Sequence, residues 1–479
     1  MRNPSIRHLG LPVAMIFLVN QWKLLLMEGK LNMTKEIDDA PRIRIPKITT
    51  TITSSVSTTA TASPRVTDSK SLEISTRVEK QEHIEKEEEN VVDDEYMINF
   101  KRDIESRRKA WQELADKEVL EEPVEIYDGV VHVTKIHNPM MRKSINQMLC
   151  LNKAAYNHRR NYPWVIFHTM PIDEKDIQEA KAIAAPANVT FVRDSPPLEE
   201  VLKAMSKEEY DHLLGRCQCC KPPNNGCCRD IHRNLSIYWD WWCYEEKSGW
   251  TTLSYAWQAV FRSYNIWEHP ALAPYKYMIW IDDDAMPTKS WLKDPMKPMV
   301  EEDLVIFYDN FPAGFAKYGI LEKMQLAYNQ TFCYIHRSEY FKGPQTGKFV
   351  VRPCKRNKKG NFKFDKVGLV HGMMHITNLD IYRKPIHLNF NRILTTHNTH
   401  RFSRQWDDQI AVTIPAAFED PERAWDMRMH GYNMSIHHNG NLDGKEKNKR
   451  WNYLVWWKYY KNTFPIAKEM CDPYIRFKG

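Results

Sequence analysis

Residues 277–287, YMIWIDDDAMP, join a short apolar run to three consecutive carboxylates. The apolar and aromatic residues up to Ile281 predict a fully buried strand. In open α/β sheets, ligands bind just beyond the carboxyl ends of the strands, which is where Asp282, Asp283 and Asp284 fall. Three acids so close together favour a neighbouring cation, and Mn²⁺ or Mg²⁺ take oxygen ligands that they share with substrate phosphates. The segment therefore predicts a metal-bridged diphosphate site, with an acidic turn as the alternative.

Strand-like and helix-like patterns alternate through most of the chain. Each predicted strand is a short run of apolar, β-branched or aromatic residues, and each predicted helix has apolar residues at helical spacing. This alternation predicts an α/β fold with a mostly parallel, Rossmann-like sheet flanked by helices. Besides the run before the acids, the predicted strands are Gly129–Ile136, Trp164–His168, Val189–Val192, Val305–Tyr308 and Val367–His371, and the predicted helices are Arg142–His158, Asp173–Ala184 and Thr252–Trp267.

The composition bounds the class of protein. A chain of 479 residues with 42% hydrophobic residues and 16 Trp can bury one large core. The formal net charge of +7 is mild for this length, and the basic residues form no long stripe. Nucleic acid is therefore not an expected partner, whereas an anionic small molecule is compatible with the charge.

The first part of the chain is predicted to lie outside the globular domain. Residues 1–30 contain the apolar run Leu9–Val19, which is shorter than the roughly 20 residues of a spanning helix. It suits a signal peptide or a signal anchor, and the lack of a small-x-small cleavage site favours the anchor; a buried helix is the alternative. Residues 31–95 are Ser/Thr-rich and then charged, which predicts a disordered stem. Residues 96–123 predict a helical lead-in, and 124–479 a single large catalytic domain.

Cysteines and glycosylation sequons indicate an oxidising compartment. The chain has ten cysteines, and Asn-x-Ser/Thr sequons begin at Asn32, Asn188, Asn234, Asn329 and Asn433. Six of the cysteines crowd into an insertion at about 215–245, where a zinc knuckle and disulfides are both possible. Their spacing does not give two C-x2-C arms, so disulfides are the preferred interpretation. These features and the predicted anchor favour a single-pass type II membrane protein of the Golgi or endoplasmic reticulum lumen.

Several segments, in the same order along the chain, resemble a known family. Ser254–Ala285 has a Ser-Tyr opening, a helix ending in His-Pro, a Tyr-x-Tyr and a strand with an acidic triplet, as in the fungal α-1,2-mannosyltransferases of glycosyltransferase family 15. Asn161–Ile166, Leu379–Arg383, Ser403–Ala411 and Ser435–His438 are similar to further segments of that family. The resemblance spans roughly residues 130–440.

The resemblance implies a GT-A-like fold, Mn²⁺ (or Mg²⁺), a GDP-mannose donor, and retaining transfer to a hydroxyl of a glycan or glycoprotein. Three departures bear on this. The triplet is Asp-Asp-Asp where the family has Glu-Pro-Asp, His375 stands at the position of a family Glu, and Val260 at that of an arginine. A UDP-sugar donor is therefore one alternative, and a non-catalytic luminal carbohydrate-binding pseudoenzyme is another.

The acids and a C-terminal histidine are the predicted metal and donor ligands. Asp284 is expected to bind the metal directly, and Asp282 to contact the metal through water or to bind the donor ribose. His437 resembles the family's metal-binding histidine, with the adjacent His438 as a competitor and a surface histidine as the alternative. Lys135, at the end of the first strand, and Tyr255 are the remaining predicted donor contacts.

Predicted catalytic and acceptor residues lie further along the chain. Asp407 and Asp408 are expected to bind sugar hydroxyls, or to act as general base if the reaction inverts. Trp406 is expected to stack on an acceptor sugar, with a core position as the alternative. His375 is expected to orient the acceptor or to act as base, and a packed histidine is the alternative.

Overall fold

The structure is a computed structural model that describes most of the chain from residue 95 onward. The predicted anchor and all but the last residue of the predicted stem lie outside the described residues, as do Trp406, Asp407 and His438. Within the described segments, no helix is long and apolar enough to cross a membrane. The described residues are 95–137, 142–218, 241–245, 249–309, 319–337, 346–354, 366–396, 408–432, 434–437 and 464–471.

Fifteen strands occur in the described part of the chain. In chain order they are β1 Val130–Ile136, β2 Trp164–His168, β3 Val189–Arg193, β4 Cys217–Gln218, β5 Trp242–Glu245, β6 Gly249–Thr252, β7 Tyr277–Ile281, β8 Met286–Pro287, β9 Ile306–Tyr308, β10 Phe332–Arg337, β11 Phe349–Pro353, β12 Lys366–Val367, β13 Met374–Asn378, β14 Ala424–Asp426 and β15 Ile436–His437.

Helices of one to about six turns accompany these strands. The first covers residues 95–115 and is α1. The others are α2 Arg142–Ala155, α3 Glu174–Ala184, α4 Leu198–Lys203, α5 Lys207–Leu214, α6 Leu253–Val260, α7 Met296–Glu301, α8 Ile320–Tyr328, α9 Leu379–Tyr382, α10 Pro385–Thr396, α11 Asp408–Glu419 and α12 Pro465–Cys471, and a π-helical turn, Phe261–Asn265, follows α6 directly.

A mostly parallel sheet of seven strands is the centre of the fold. Its order is β14-β9-β13-β7-β1-β2-β3. β13 runs antiparallel to its neighbours β7 and β9, whereas the other adjacent pairs are parallel. The predicted α/β fold, with a mostly parallel, Rossmann-like sheet flanked by helices, is therefore confirmed. Parallel strands require covered faces on both sides, which explains why their sequences are continuous apolar runs rather than alternating ones.

The two faces of β7 show this covering directly. Tyr277, Ile279 and Ile281 pack into one apolar cluster, and Met278 and Trp280 pack into the cluster on the other face. All five residues of the strand are buried. Because side chains alternate along a strand, the residue that follows Ile281 continues the Trp280 face. The strand therefore delivers the first acid of the triplet to one defined side of the sheet.

One predicted strand was wrong, and a central strand was not foreseen. The prediction for Val367–His371 holds only for Val367, which belongs to the two-residue strand β12 of a small sheet. The strand that enters the central sheet is β13, a few residues later. Its sequence, MHITN, carries polar residues at alternate positions, a pattern typical of a half-exposed strand. Here His375 and Thr377 are buried all the same, because both faces of the sheet are covered.

Disulfides cross-link three parts of the domain. Cys217–Cys243 joins β4 to β5 in a small antiparallel sheet, so the disulfide interpretation of the Cys-rich insertion is confirmed for this pair. Cys333–Cys354 joins the start of β10 to the residue that directly follows β11, its antiparallel partner. Cys150–Cys471 links α2 to α12 across a sequence separation of 321 residues. The other cysteines of the insertion lie outside the described residues.

Buried histidines make the fold sensitive to acid. His132 in β1 is fully buried and stacks on Trp164 with ring centroids 4.5 Å apart. Burial lowers its pKa to about 3, and burial lowers the pKa of His137 and His375 to about 3 as well. Below pH 6.5 the unfolded chain binds protons that the folded chain excludes, so stability present above pH 6.5 is lost as the pH falls toward 3.

We expect His132→Phe to reduce the slope of the free energy of unfolding against pH by up to about 1.4 kcal/mol per pH unit. The reason is that the unfolded variant binds one proton fewer in this range. The measurement is the free energy of unfolding in urea between pH 4.5 and 7.5. The matched control is a substitution of His212 by Gln, because His212 is an exposed histidine. If the slope for His132→Phe equals that of the unsubstituted protein, the lowered pKa of buried His132 is contradicted.

Candidate functional site

The acid triplet lies at the carboxyl edge of the central sheet, directly after β7. The backbone N–H of Asp282 donates to Met373 O at 2.8 Å, and Ala285 N–H donates to Asp282 O at 2.9 Å. These bonds fix the turn that contains the acids. Asp283 is buried, whereas Asp282 and Asp284 are partly exposed. Asp282 and Asp284 are therefore the two acids of the triplet that reach solvent in part at the sheet edge.

A two-stranded sheet brings His437 to the triplet. β8 begins two residues after Asp284 and pairs antiparallel with β15, with His437 opposite Met286. The N–H and the hydroxyl of Thr288 both donate to Ser435 O, at 2.8 and 2.6 Å, and hold the pair in register. The predicted metal ligands Asp284 and His437, more than 150 residues apart in sequence, thus belong to one local structure.

The side chains at this point suit a divalent cation of the predicted kind. A carboxylate and an imidazole are both used by Mn²⁺, and a six-coordinate ion would keep places for diphosphate oxygens and water. Within the ranges that the structure describes, no group of three or more His, Cys, Asp or Glu side chains is arranged to hold a metal. Of the predicted metal ligands Asp282, Asp284 and His437, the β8–β15 pairing places His437 next to the segment that carries the two acids.

Asp282 is engaged by the protein itself. Its Oδ1 accepts hydrogen bonds from Arg262 Nη1 at 3.1 Å and from Trp280 Nε1 at 2.8 Å. Sequence reasoning did not single out Arg262. The available signal was one arginine within the apolar helical stretch LSYAWQAVFRSYN, because a charge there is buried only if it has partners. It lies in the π-helical turn, a feature frequent at functional sites.

Asp408 reaches the same arginine from the start of α11. Arg262 Nη1 lies 2.6 Å from Asp408 Oδ2, in an ion pair whose geometry is not that of a directed hydrogen bond. Both side chains are largely buried. The structure therefore brings the predicted residues Asp282 and Asp408 together through Arg262.

His375 lies in β13, within the central sheet, next to the strand that leads to the acid triplet. It pairs with Trp280 across β13 and β7, and the two rings are nearly parallel with centroids 6.4 Å apart. The ring is 1% exposed, and among the described residues its Nδ1 has no hydrogen-bond partner. Burial, and secondarily the charge of Arg262, lowers its pKa to about 3. The imidazole is therefore neutral at physiological pH and is shielded from solvent.

Lys135 is held in a buried ion pair. Its ammonium contacts both carboxylate oxygens of Asp194, and it donates to Thr169 Oγ1 at 2.7 Å. Trp257 Nε1 also donates to Asp194, at 2.7 Å. Burial lowers the pKa of Lys135, and the Asp194 charge opposes this shift. Asp194, at the end of β3, was missed in the sequence because nothing local marks a buried counter-ion.

Tyr255 stands beside the end of β1. Its ring makes an edge contact with His137, with centroids 5.3 Å apart. His137 is buried, and burial lowers its pKa, a shift that the charge of Asp282 opposes in part. Tyr255 is partly exposed, unlike Lys135. Of the two predicted donor contacts near the end of β1, Tyr255 is thus accessible and Lys135 is buried.

Comparisons with known proteins give partial structural matches. The sequence matches no protein-family model, and no curated protein matches it. Among solved structures, Ktr4p mannosyltransferase from S. cerevisiae, in complex with GDP, is similar at a TM-score of 0.43 and 14% identity, over 72% of this chain and 80% of that one. Core-mannan synthase A from Aspergillus fumigatus, in its Mn/GDP form, is similar at 0.38 and 14%, over 63% and 73%.

A third similar structure, the apo form of mouse xyloside xylosyltransferase 1, has a TM-score of 0.29 at 14% identity and covers 66% of this chain and 97% of that one. All three matched proteins are named as sugar transferases or synthases. At these scores and identities no residue role follows from the likeness. The roles below rest on the geometry of this chain.

Proposed function

We propose that the protein is a metal-dependent glycosyltransferase that uses a nucleotide-sugar donor. The leading assignment is mannosyl transfer from GDP-mannose to a hydroxyl of a glycan or glycoprotein, with retention. The observation that carries the proposal is the β8–β15 pairing, which sets His437 beside the acid triplet at the carboxyl edge of β7. A carboxylate and an imidazole at that edge supply cation ligands where an α/β sheet binds its ligand.

In this proposal the residues at the sheet edge have separate tasks. Asp284 and His437 would hold Mn²⁺ or Mg²⁺, which when bound offsets charge on a nucleoside diphosphate leaving group. Asp282 faces the donor while Arg262 and Trp280 fix its orientation. Tyr255 contacts the donor from the end of β1. Lys135 supports that end from within the buried ion pair with Asp194.

The acceptor side is proposed to lie around the start of α11. Trp406 and Asp407 directly precede the helix and remain the proposed sugar-stacking residue and hydroxyl ligand. Asp408 is already paired with Arg262, so its carboxylate is less available to a sugar hydroxyl. His375 is proposed to shape the floor of the site, because its ring lies opposite Trp280, whose Nε1 donates to Asp282.

We further propose a luminal location in the Golgi or endoplasmic reticulum, with residues 1–30 as the membrane anchor. Three disulfides within the described residues support an oxidising compartment, since disulfides persist in the secretory lumen and are rare in the cytosol. Sodium dodecyl sulfate gels with and without reductant, run on protein from the secretory pathway, would test the oxidised state.

Thermal shifts with nucleotides test the donor. We expect GDP with Mn²⁺ to stabilise the protein by about 2.7 kcal/mol at 100 times its dissociation constant, and GDP with EDTA to do much less. The panel includes UDP with Mn²⁺ and both nucleotide sugars. Stabilisation by UDP alone would contradict the mannosyl assignment and favour a UDP-sugar donor. Absence of any nucleotide effect, together with binding of free glycans, would replace the enzyme by a carbohydrate-binding protein.

A further inference from the structure

One buried arginine ties three segments of the site together. Arg262 Nη1 contacts Asp282 at 3.1 Å and Asp408 at 2.6 Å, and Arg262 Nη2 donates to Gly372 O at 2.7 Å. Its guanidinium lies 3.9 Å from the centroid of the Trp280 ring, in a cation–π contact. The acid triplet, the start of α11 and the loop before β13 therefore converge on a single side chain.

The contacts of Arg262 with Asp282 and Asp408 are largely shielded from water. The Arg262 side chain is 8% exposed, and those of Asp282 and Asp408 are 16% and 11% exposed. A buried guanidinium needs carboxylates and carbonyls arranged around its planar fork, since an unpaired charge in that place is strongly unfavourable. The fork of Arg262 directs hydrogen bonds to Asp282 and to Gly372 O, and its charge pairs with Asp408.

The loop before β13 is shaped around this ion pair. A Cβ added to Gly372 would lie 3.0 Å from Asp408 Oδ2 and 3.3 Å from Arg262 Nη2. The backbone of Gly372 is not in the left-handed region, so the constraint is one of space. Any side chain at this position would press directly on the two charged groups.

We propose that Arg262 is the positioning residue of the acid triplet: its guanidinium fixes Asp282 against α11, so that Asp284 and His437 keep the spacing needed to hold a divalent cation. This inference rests on the proposed cation site. Charge alone predicts the opposite effect of removing Arg262, because loss of a nearby positive charge raises the affinity of acids for a cation. The sign of the change therefore distinguishes positioning from simple electrostatics.

The test compares Arg262→Met with Arg262→Lys in the full chain. We expect Met to weaken Mn²⁺ binding by about 10- to 100-fold, the range found when groups that orient metal ligands are removed. Lys keeps the charge but lacks the fork, and should restore only part of the affinity. The readout is the electron paramagnetic resonance signal of free Mn²⁺ during titration. Unchanged or tighter binding in Arg262→Met would overturn the proposal.

Gly372→Ala provides a second variant that leaves every charge in place. We expect it to weaken Mn²⁺ binding by about 10-fold, because the new methyl group displaces the Arg262–Asp408 pair. The matched control is Gly215→Ala, whose Cβ would meet only backbone oxygens at 3.4 and 3.6 Å. Equal Mn²⁺ affinities in the two alanine variants would count against the clamp, that is, the positioning of Asp282 against α11 by Arg262.

Stability measurements separate failure of the clamp from failure of the proposed function. If the unsubstituted protein binds no Mn²⁺, the metal-dependent function fails, and the clamp is judged by a double-mutant cycle of Arg262→Met with Asp282→Asn. We then expect the two shifts in melting temperature to be clearly non-additive, as for residues of one charge network. Additive shifts would overturn the clamp independently of any cation.

Discussion

Replacing Asp284 by asparagine is expected to lower metal-dependent turnover of a nucleotide sugar on the order of 10³-fold. The side chain keeps its size but loses the negative charge that would bind the cation. A bound cation stabilises a transition state by several kcal/mol, and each 1.4 kcal/mol corresponds to about tenfold in rate. The effect should be mainly on kcat at saturating Mn²⁺, because the leaving-group charge develops in the transition state.

The measurement is release of nucleoside diphosphate by the full chain at a series of Mn²⁺ concentrations. Asp380→Asn is the matched control, because its side chain is 62% exposed and its charge has the same sign. We expect the control to retain full activity and an unchanged melting temperature. Activity of Asp284→Asn within threefold of the unsubstituted protein would remove Asp284 from the site.

Removing the Cys150–Cys471 disulfide, by alanine at both positions, is expected to lower the free energy of unfolding by about 5 kcal/mol. The two cysteines are 321 residues apart in sequence, so the bond restricts nearly the whole domain in the unfolded chain. Loop closure entropy rises with the logarithm of loop length, which makes this the most stabilising of the described disulfides. Both residues are buried, and alanine leaves little space unfilled.

Urea unfolding of the double-alanine variant measures this loss, with intact Cys217–Cys243 and Cys333–Cys354 verified by mass spectrometry. The comparison variant removes Cys333–Cys354, which closes a separation of only 21 residues and is expected to cost about 3 kcal/mol. A smaller loss from the long-range disulfide than from the short one would contradict the entropic argument for these pairs.

The sequence was most informative where the cause of structure is local. The central strand β7 and the acids behind it were predicted from eleven consecutive residues, and β2 was predicted with its final bounds. Those strands are continuous apolar runs because covered parallel strands have no polar face. β13 was not predicted, because its sequence, MHITN, has the pattern of a half-exposed strand. It is buried only because β7 and β9, which are distant in the chain, pair with it on both sides.

In the candidate site too, residues marked by a local sequence pattern could be predicted and their distant partners could not. Asp282 and Asp284 could be named from the sequence because three acids after a strand are a local signal. The partners of these acids could not be deduced, since Arg262 precedes them by some 20 residues and Asp408 follows by more than 120. Lys135 shows the converse: its place at a strand end predicted a donor contact, and the structure holds it in a buried pair with Asp194.

By itself the sequence determined the strand–helix alternation, the acid triplet at a strand end and the cysteine content, because each is set by neighbouring residues. Only the tertiary structure decided that β13 enters the sheet antiparallel, that β15 carries His437 to the triplet, and that Arg262 joins Asp282 to Asp408. Those features depend on strand register and on the packing of buried charges. Both are properties of segments that meet only when the chain has folded.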